Sequence, residues 1–251
     1  VLAQVLQQIK GELCGKVKLI FQPGEEGGGG ARGMVAAGVV DDVTHFFAGH
    51  IGLTRLDGTP VLSHMLVCGC KDLLDNRRYN VRYTGKAAHP CGDPHNGKNA
   101  LLAACAAALA IHTIPPHNQG QVFMYVGVLR AGISRNTVPP EAYFELEIRG
   151  NNDIVSGYGE ERVLSAVKAA AALYGVEYDI ELVGKTPSAR SDDAAMEIVS
   201  QCAKKVPWFS QVELEGSAGG TDDAADMMRR VQQNGGVAAY FGMGSDFVSS
   251  F

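Results

Sequence analysis

Between residues 71 and 185 the hydrophobic pattern changes period in the order strand, helix, strand, strand, helix, strand. "LLDNRRYNVRYTGKA" alternates apolar and polar residues as an antiparallel strand does, and "GKNALLAACAAALAIHTI" is an alanine-rich helix. "QVFMYVGVLRAG" and "EAYFELEIRG" read as strands joined by a turn around Asn136 and Pro140. "EERVLSAVKAAAALYG" reads as a helix closed by Gly175, and "VEYDIELVG" as a strand. This β-α-β-β-α-β order is the ferredoxin-like split motif.

The flanking sequence follows a different rhythm. "VLAQVLQQIKGEL" carries a helical apolar stripe, "KVKLIFQ" reads as a strand, "ARGMVAAGVV" as a helix ended by Gly38, and "THFFAGHIG" as a strand. After Pro187, "DDAAMEIVSQCAKKV" and "TDDAADMMRRVQQN" read as helices, and "QVELE" and "GVAAYFGMG" as strands. Alternating strand and helix predicts a parallel sheet with helical crossovers. The fold class is therefore α/β, with a smaller α+β domain inserted into it. The expected boundaries are 1–70, 71–185 and 186–251. Sites in such sheets gather beyond the strand C-termini, where Glu25, Glu26 and His50 fall.

The loop "QPGEEGGGGARG" follows the first of these strands. A phosphate loop needs GxxxxGK[ST], and this segment has no such lysine, while Glu25 and Glu26 would repel phosphate. Two readings remain: a flexible acidic turn, or a metal site in which one carboxylate binds the ion and the other takes a proton from water. His50, which ends the next strand, is either structural or a ligand, and its expected neighbour is the strand that leads to Glu25 and Glu26. His89, in "TGKAAHPCGDP", reads alone as a surface residue with an extended backbone imposed by Pro90. Asn136 and Arg149 are unremarkable singly and together could clamp a substrate carboxylate. Asp192-Asp193 sits at a helix start, where it would cap. Asp222, after the glycine-rich "SAGGT", either caps the next helix or approaches the same site as Glu25.

Composition narrows the partners. Formal net charge is −5 and no basic stripe appears, which argues against nucleic acid. No apolar run approaches the roughly 20 residues of a membrane span, and no secretory leader is expected at Val1. The six cysteines lack framework spacing, so reduced thiols in a cytoplasmic protein are expected. Both ends read as cut: the chain opens within a helical pattern and stops soon after "GMG", and a fragment is expected.

"KLIFQPGEEGGGGARGMVAAGVVDDV" with "GHIG" resembles the dinuclear-metal amidohydrolases of the aminoacylase and carboxypeptidase family. "YTGKAAHP", "NALLAA", "GVLRAGISRNTVPPEA" and "EIRG" resemble that family's lid and dimerisation domain. The similarity covers nearly all of the chain. The branch it most resembles acts on aminobenzoyl-glutamate, through "KLIFQPGEEG", "AGVVDDV", "HNGKNALLAA" and "MMRRVQQ". The resemblance implies a phosphorylase/hydrolase-like catalytic domain carrying two Zn²⁺ or Mn²⁺ ions per site. It implies that Glu25 is the general base, Glu26 and His50 are metal ligands, and His89 stabilises an oxyanion in a neighbouring protomer. It further implies that Asn136 and Arg149 hold the substrate carboxylate, and that the protein is a dimer through the lid. The implied reaction is hydrolysis of an N-acyl or N-aroyl amino acid, p-aminobenzoyl-glutamate in this branch. The family's upstream HxCGHDxH-type segment and its C-terminal histidine do not occur here, and this chain has no histidine after His117. Asp222 also stands where the family more often has glutamate in a G-S-E-D segment. Two other functional readings stand beside the hydrolase: a non-catalytic fragment or partner supplying a lid and dimer surface, and a dipeptidase of the same family.

Overall fold

The computed structural model describes residues 1–25 and 29–246. In chain order the elements are α1 (Leu2–Gln8), a 3-10 turn at Lys10–Glu12, α2 (Gly30–Ala36), β1 (His45–Ile51), β2 (Thr54–Arg55), β3 (Met65–Val67) and β4 (Asn76–Thr84). They continue with a 3-10 turn at Pro94–Asn96, α3 (Ala100–His112), β5 (Val122–Ala131), β6 (Glu141–Gly150), α4 (Asp153–Tyr174) and β7 (Glu177–Thr186). The last are α5 (Asp193–Ala203), β8 (Gln211–Glu213), β9 (Gly216–Ser217), α6 (Ala224–Gln233) and β10 (Val237–Met243).

The strands from β4 to β7 form one antiparallel sheet in the order β5-β6-β4-β7. Alternate residues of β4 and β6 point to one face, so Val81, Tyr83, Phe144 and Ile148 are buried against Ala103, Ala104 and Ala107 of α3 and Val163 and Val167 of α4. Short side chains on α3 let helix and sheet approach closely. Both helices have defined starts. The Asn99 side chain accepts the Leu102 amide at 3.0 Å, and the Asn152 side chain accepts the Ile154 and Val155 amides at 3.1 Å. Gly175, at φ +62°, closes α4 in the left-handed conformation that the sequence predicts.

The remaining elements build a second sheet, in the order β1-β10-β3-β8. Its strands alternate between two cores: Ala238 and Tyr240 face α6 and α2, whereas Ala239 and Phe241 face α5. This sheet corrects the parallel one expected, because β10 pairs antiparallel with β3 while β1–β10 and β3–β8 are parallel. It also corrects the neighbour of His50, which lies opposite Gly242 of β10 and not beside a strand leading to Glu25.

Residues 16–22, predicted as a strand, are irregular. Val17, Leu19 and Phe21 are 53%, 37% and 84% exposed, so the apolar alternate residues have no layer to bury against. Asp192 does not cap α5. Its carboxylate instead accepts the Ala238 amide at 2.7 Å and the Gln232 side chain at 2.8 Å, holding the start of β10, while Asp193 pairs with Lys71 at 2.7 Å. No described helix is long and apolar enough to cross a membrane.

Candidate active site

The loop after Gln22 turns back on itself. A Cβ at Gly30 would lie 1.7 Å from the Pro23 carbonyl oxygen, and Gly29 sits at φ +61°, so this close return needs glycine at both positions. Glu26 lies outside the described residues. Glu25 is brought to Asp222 and Asp223, at the start of α6, with carboxylate oxygens of the three residues within 4.8 Å of one another.

The two aspartates are oriented from several elements. Asp222 accepts the Ala224 amide at 2.8 Å and the Tyr240 hydroxyl. It therefore holds the first turn of α6 and also reaches the cluster, which joins the two roles open to it from sequence. Asp223 is buried at 4% exposure and accepts the Gln22 side chain and, at 3.1 Å, the Ala31 amide that opens α2. Burial and the hydrogen bond to Asp222 push the Tyr240 phenol well above the usual tyrosine range, so its hydroxyl stays a donor. Behind it, burial and the nearby Asp72 push the Cys70 thiol up to about 12. Cys70, fully buried, is thus a neutral packing group.

His50 joins this group through Tyr240: the two rings stack with centroids 6.3 Å apart. The His50 Nδ1 lies against the Ile51 carbonyl. A carbonyl only accepts, so Nδ1 carries the proton and Nε2 keeps its lone pair. Histidines that bind metal are oriented in this way, donating the other ring N–H to a backbone carbonyl or carboxylate. A free imidazole lone pair and clustered carboxylates are both ligand types that suit a zinc or manganese ion.

The other three sequence-derived residues lie in the β4–β7 unit. His89 is exposed in the loop before α3, and its Nδ1 accepts the backbone amides of Cys91 at 3.2 Å and Gly92 at 3.1 Å. Asn136 lies in the β5–β6 turn, where its side-chain oxygen accepts the Ser134 hydroxyl at 3.0 Å. Arg149 is at the far end of β6, opposite Phe123, and its Nε donates to Glu147 at 2.8 Å. At about 3.4 Å per residue, Asn136 and Arg149 stand at least roughly 25 Å apart along the hairpin. They do not form a clamp within one chain. Gln22, Asp223 and Tyr240 are the additions that sequence reasoning missed. Tyr240 reads as an ordinary strand residue in "GVAAYFGMG", and Asp223 as half of a helix-start pair.

A family model described as Peptidase family M20/M25/M40 matches residues 1–249. An indole-3-acetyl-aspartic acid hydrolase of Enterobacter agglomerans is 42% identical over 246 residues, covering 98% of this chain and 55% of that protein. A p-aminobenzoyl-glutamate hydrolase subunit of Escherichia coli (strain K12) is 41% identical over 249 residues, covering 99% of this chain and 56% of that protein. Among solved structures, an aminobenzoyl-glutamate utilization protein from Klebsiella pneumoniae superimposes with a TM-score of 0.87 at 42% identity, covering 97% of this chain and 60% of that one. The chain spans little more than half the length of these relatives.

Proposed function

Because this chain belongs to peptidase family M20/M25/M40, we propose that the protein it forms part of is a metal-dependent amidohydrolase acting on an aromatic acyl conjugate of an acidic amino acid, with p-aminobenzoyl-glutamate as substrate. The observation that carries this reading is the cluster of Glu25, Asp222 and Asp223 carboxylates, with Tyr240 bonded to Asp222 and the His50 ring stacked on the other side of the link at Tyr240 with its lone pair on Nε2.

Glu26 and His50 would hold metal, with further ligands drawn from outside these residues. When bound, two Zn²⁺ or Mn²⁺ ions supply Lewis-acid polarisation of the scissile carbonyl and of water. Glu25 takes the proton from the attacking water and delivers it to the leaving amine. Asp222 and Asp223, fixed by Tyr240, Gln22 and two backbone amides, keep the acidic loop and α6 in register so that the Glu25 carboxylate stays in place. The β4–β7 unit is read as the inserted ferredoxin-like lid, residues 71–185, through which two subunits pair. His89 then acts in the partner's site. Asn136 and Arg149, being far apart in one chain, meet one substrate carboxylate from different protomers.

The names of two relatives share an aromatic acyl group on an acidic amino acid. The full-length protein, loaded with Zn²⁺ or Mn²⁺, is expected to hydrolyse p-aminobenzoyl-glutamate and indole-3-acetyl-aspartate with kcat/KM at least roughly tenfold above hippurate and unconjugated dipeptides. A preference for dipeptides would replace this reading with a dipeptidase. No turnover of any of them with either metal would replace it with a non-catalytic role.

A further inference from the structure

We propose that Arg229 is a positioning residue: its fork on Asp153 fixes the angle of the β4–β7 unit relative to the acidic cluster, and so where Arg149 meets the substrate carboxylate. Apolar packing does not set that angle. Among the described residues, the core of the β4–β7 unit, which runs from Tyr79 to Val176, shares no residue with the two cores around β1 and β10. Units joined without a common apolar interface move relative to one another unless polar contacts hold them. The chain crosses between them twice, at residues 70–76 and 186–191, as a narrow neck. There the Ala189 amide donates to the Leu73 carbonyl at 3.1 Å, the Ser191 amide to the Cys70 carbonyl at 2.8 Å and the Leu74 amide to the Gly220 carbonyl at 2.8 Å. Beside the neck lies a cleft of about 540 Å³ lined by both Arg229 and Asp153.

Both ends of this link are rigid. Helix α6 is anchored by Ala225, Met228 and Val231, all fully buried. Arg229 follows Asp223 by six residues, about 9 Å along the helix, so one element carries both the acidic pair and the fork. On the other side, a Cβ at Gly150 would fall 2.1 Å from the Ser156 hydroxyl, so the end of β6 lies directly on the first turn of α4. Asn151 and Gln121 exchange two bonds of 3.1 Å across the same corner. Arg149 therefore moves with Asp153.

The fork has two bonds, of 2.9 and 2.7 Å, which fix direction as well as distance. The Asp153 side chain is 60% exposed, so the pair adds little to global stability. An angle that no core enforces responds to such a modest force. That the fork holds the angle stands on geometry. That the angle governs substrate binding rests on the proposed function.

Two readouts separate these parts. In the full-length protein, hydrogen exchange of the neck amides, residues 70–76 and 186–191, should quicken at least roughly fivefold in Arg229→Ala, while β6 and β10 exchange as in wild type. Neck exchange unchanged from wild type overturns the positioning role whatever the kinetics. With the metal-loaded full-length protein and p-aminobenzoyl-glutamate, Arg229→Ala and Asp153→Asn should each raise KM by roughly 10–10²-fold. Metal content should be unchanged and kcat should stay within about threefold. The double variant should be no worse than either alone, and Arg229→Lys, which keeps the charge without the fork, should fall between wild type and Arg229→Ala. A pair that merely stabilised the fold would move the unfolding midpoint and leave KM unchanged. Faster neck exchange with wild-type KM leaves the fork standing and overturns its link to the substrate. Losses that multiply in the double variant overturn the pairing. If wild type turns over no substrate, the proposed function fails and the exchange result alone decides the fork.

Discussion

His50 and His89 each give one ring nitrogen to the backbone, and the same nitrogen plays opposite parts: Nδ1 donates in His50 and accepts in His89. Their residue type and their position before or after a strand were legible in the sequence, whereas the tautomers depend on which backbone groups fold against each ring. The same holds for Asp223, whose role comes from Gln22 and Ala31, far away in sequence. Asp75 is a further case, at the start of β4 and 2% exposed. It accepts the Gly150 amide at 2.6 Å and the Arg77 guanidinium at 3.2 Å, while Arg77 also reaches Glu160. Removing the carboxylate takes away one of the two acidic partners of Arg77 and leaves the Gly150 amide without its acceptor. Asp75→Ala should therefore cost about 3 kcal/mol in denaturant unfolding. Asp75→Asn should cost less, since its side-chain oxygen still accepts from Gly150. Burial raises the Asp75 carboxyl above 3.8. A raised folded-state value means that its stabilising contribution is full below about 4 and falls as pH rises through the folded value. The advantage of wild type over Asp75→Asn should shrink in that direction, and an advantage that grows with pH would contradict the assignment.

At the level of elements, the strands and helices between β4 and β7 follow the sequence pattern closely. Their periods of 2 and 3.6 are clean, and β5 and β6 pair as a local hairpin. The sheet around β1 was harder to read, because β10 inserts between β1 and β3 from the far end of the chain and no local pattern encodes that register. Residues 16–22 have strand composition but no partner ladder, so composition alone misled there. Helix α3 shows what its alanines do. Ala107 is fully buried between sheet and helix, whereas Leu109 on the same helix is 71% exposed. Ala107→Leu forces three extra carbons into a filled space and should destabilise the protein by roughly 1–3 kcal/mol. Leu109→Ala should stay within about 0.5 kcal/mol. Equal effects in thermal or denaturant unfolding would mean that α3 does not pack as described.

Across the whole molecule, the unit around β1 and β10 holds the acidic loop and His50, and the β4–β7 unit holds His89, Asn136 and Arg149. The two are tied by Arg229 of α6, which grips Asp153 at the start of α4 through two bonds of 2.9 and 2.7 Å. The glutamate pair, the histidines and the split motif were recognisable as residues and motifs. The approach of Glu25 to Asp222 and Asp223, with Tyr240 bonded to Asp222, and the separation of Asn136 from Arg149, came only from the three-dimensional arrangement. The central claim is that Glu25 moves the proton in a metal-dependent hydrolysis. The most direct test is Glu25→Gln in the full-length protein, with bound metal and p-aminobenzoyl-glutamate turnover measured on the same sample. The claim expects metal content equal to wild type and kcat lower by at least roughly 10²–10⁴. Metal retained with near-normal turnover would contradict it.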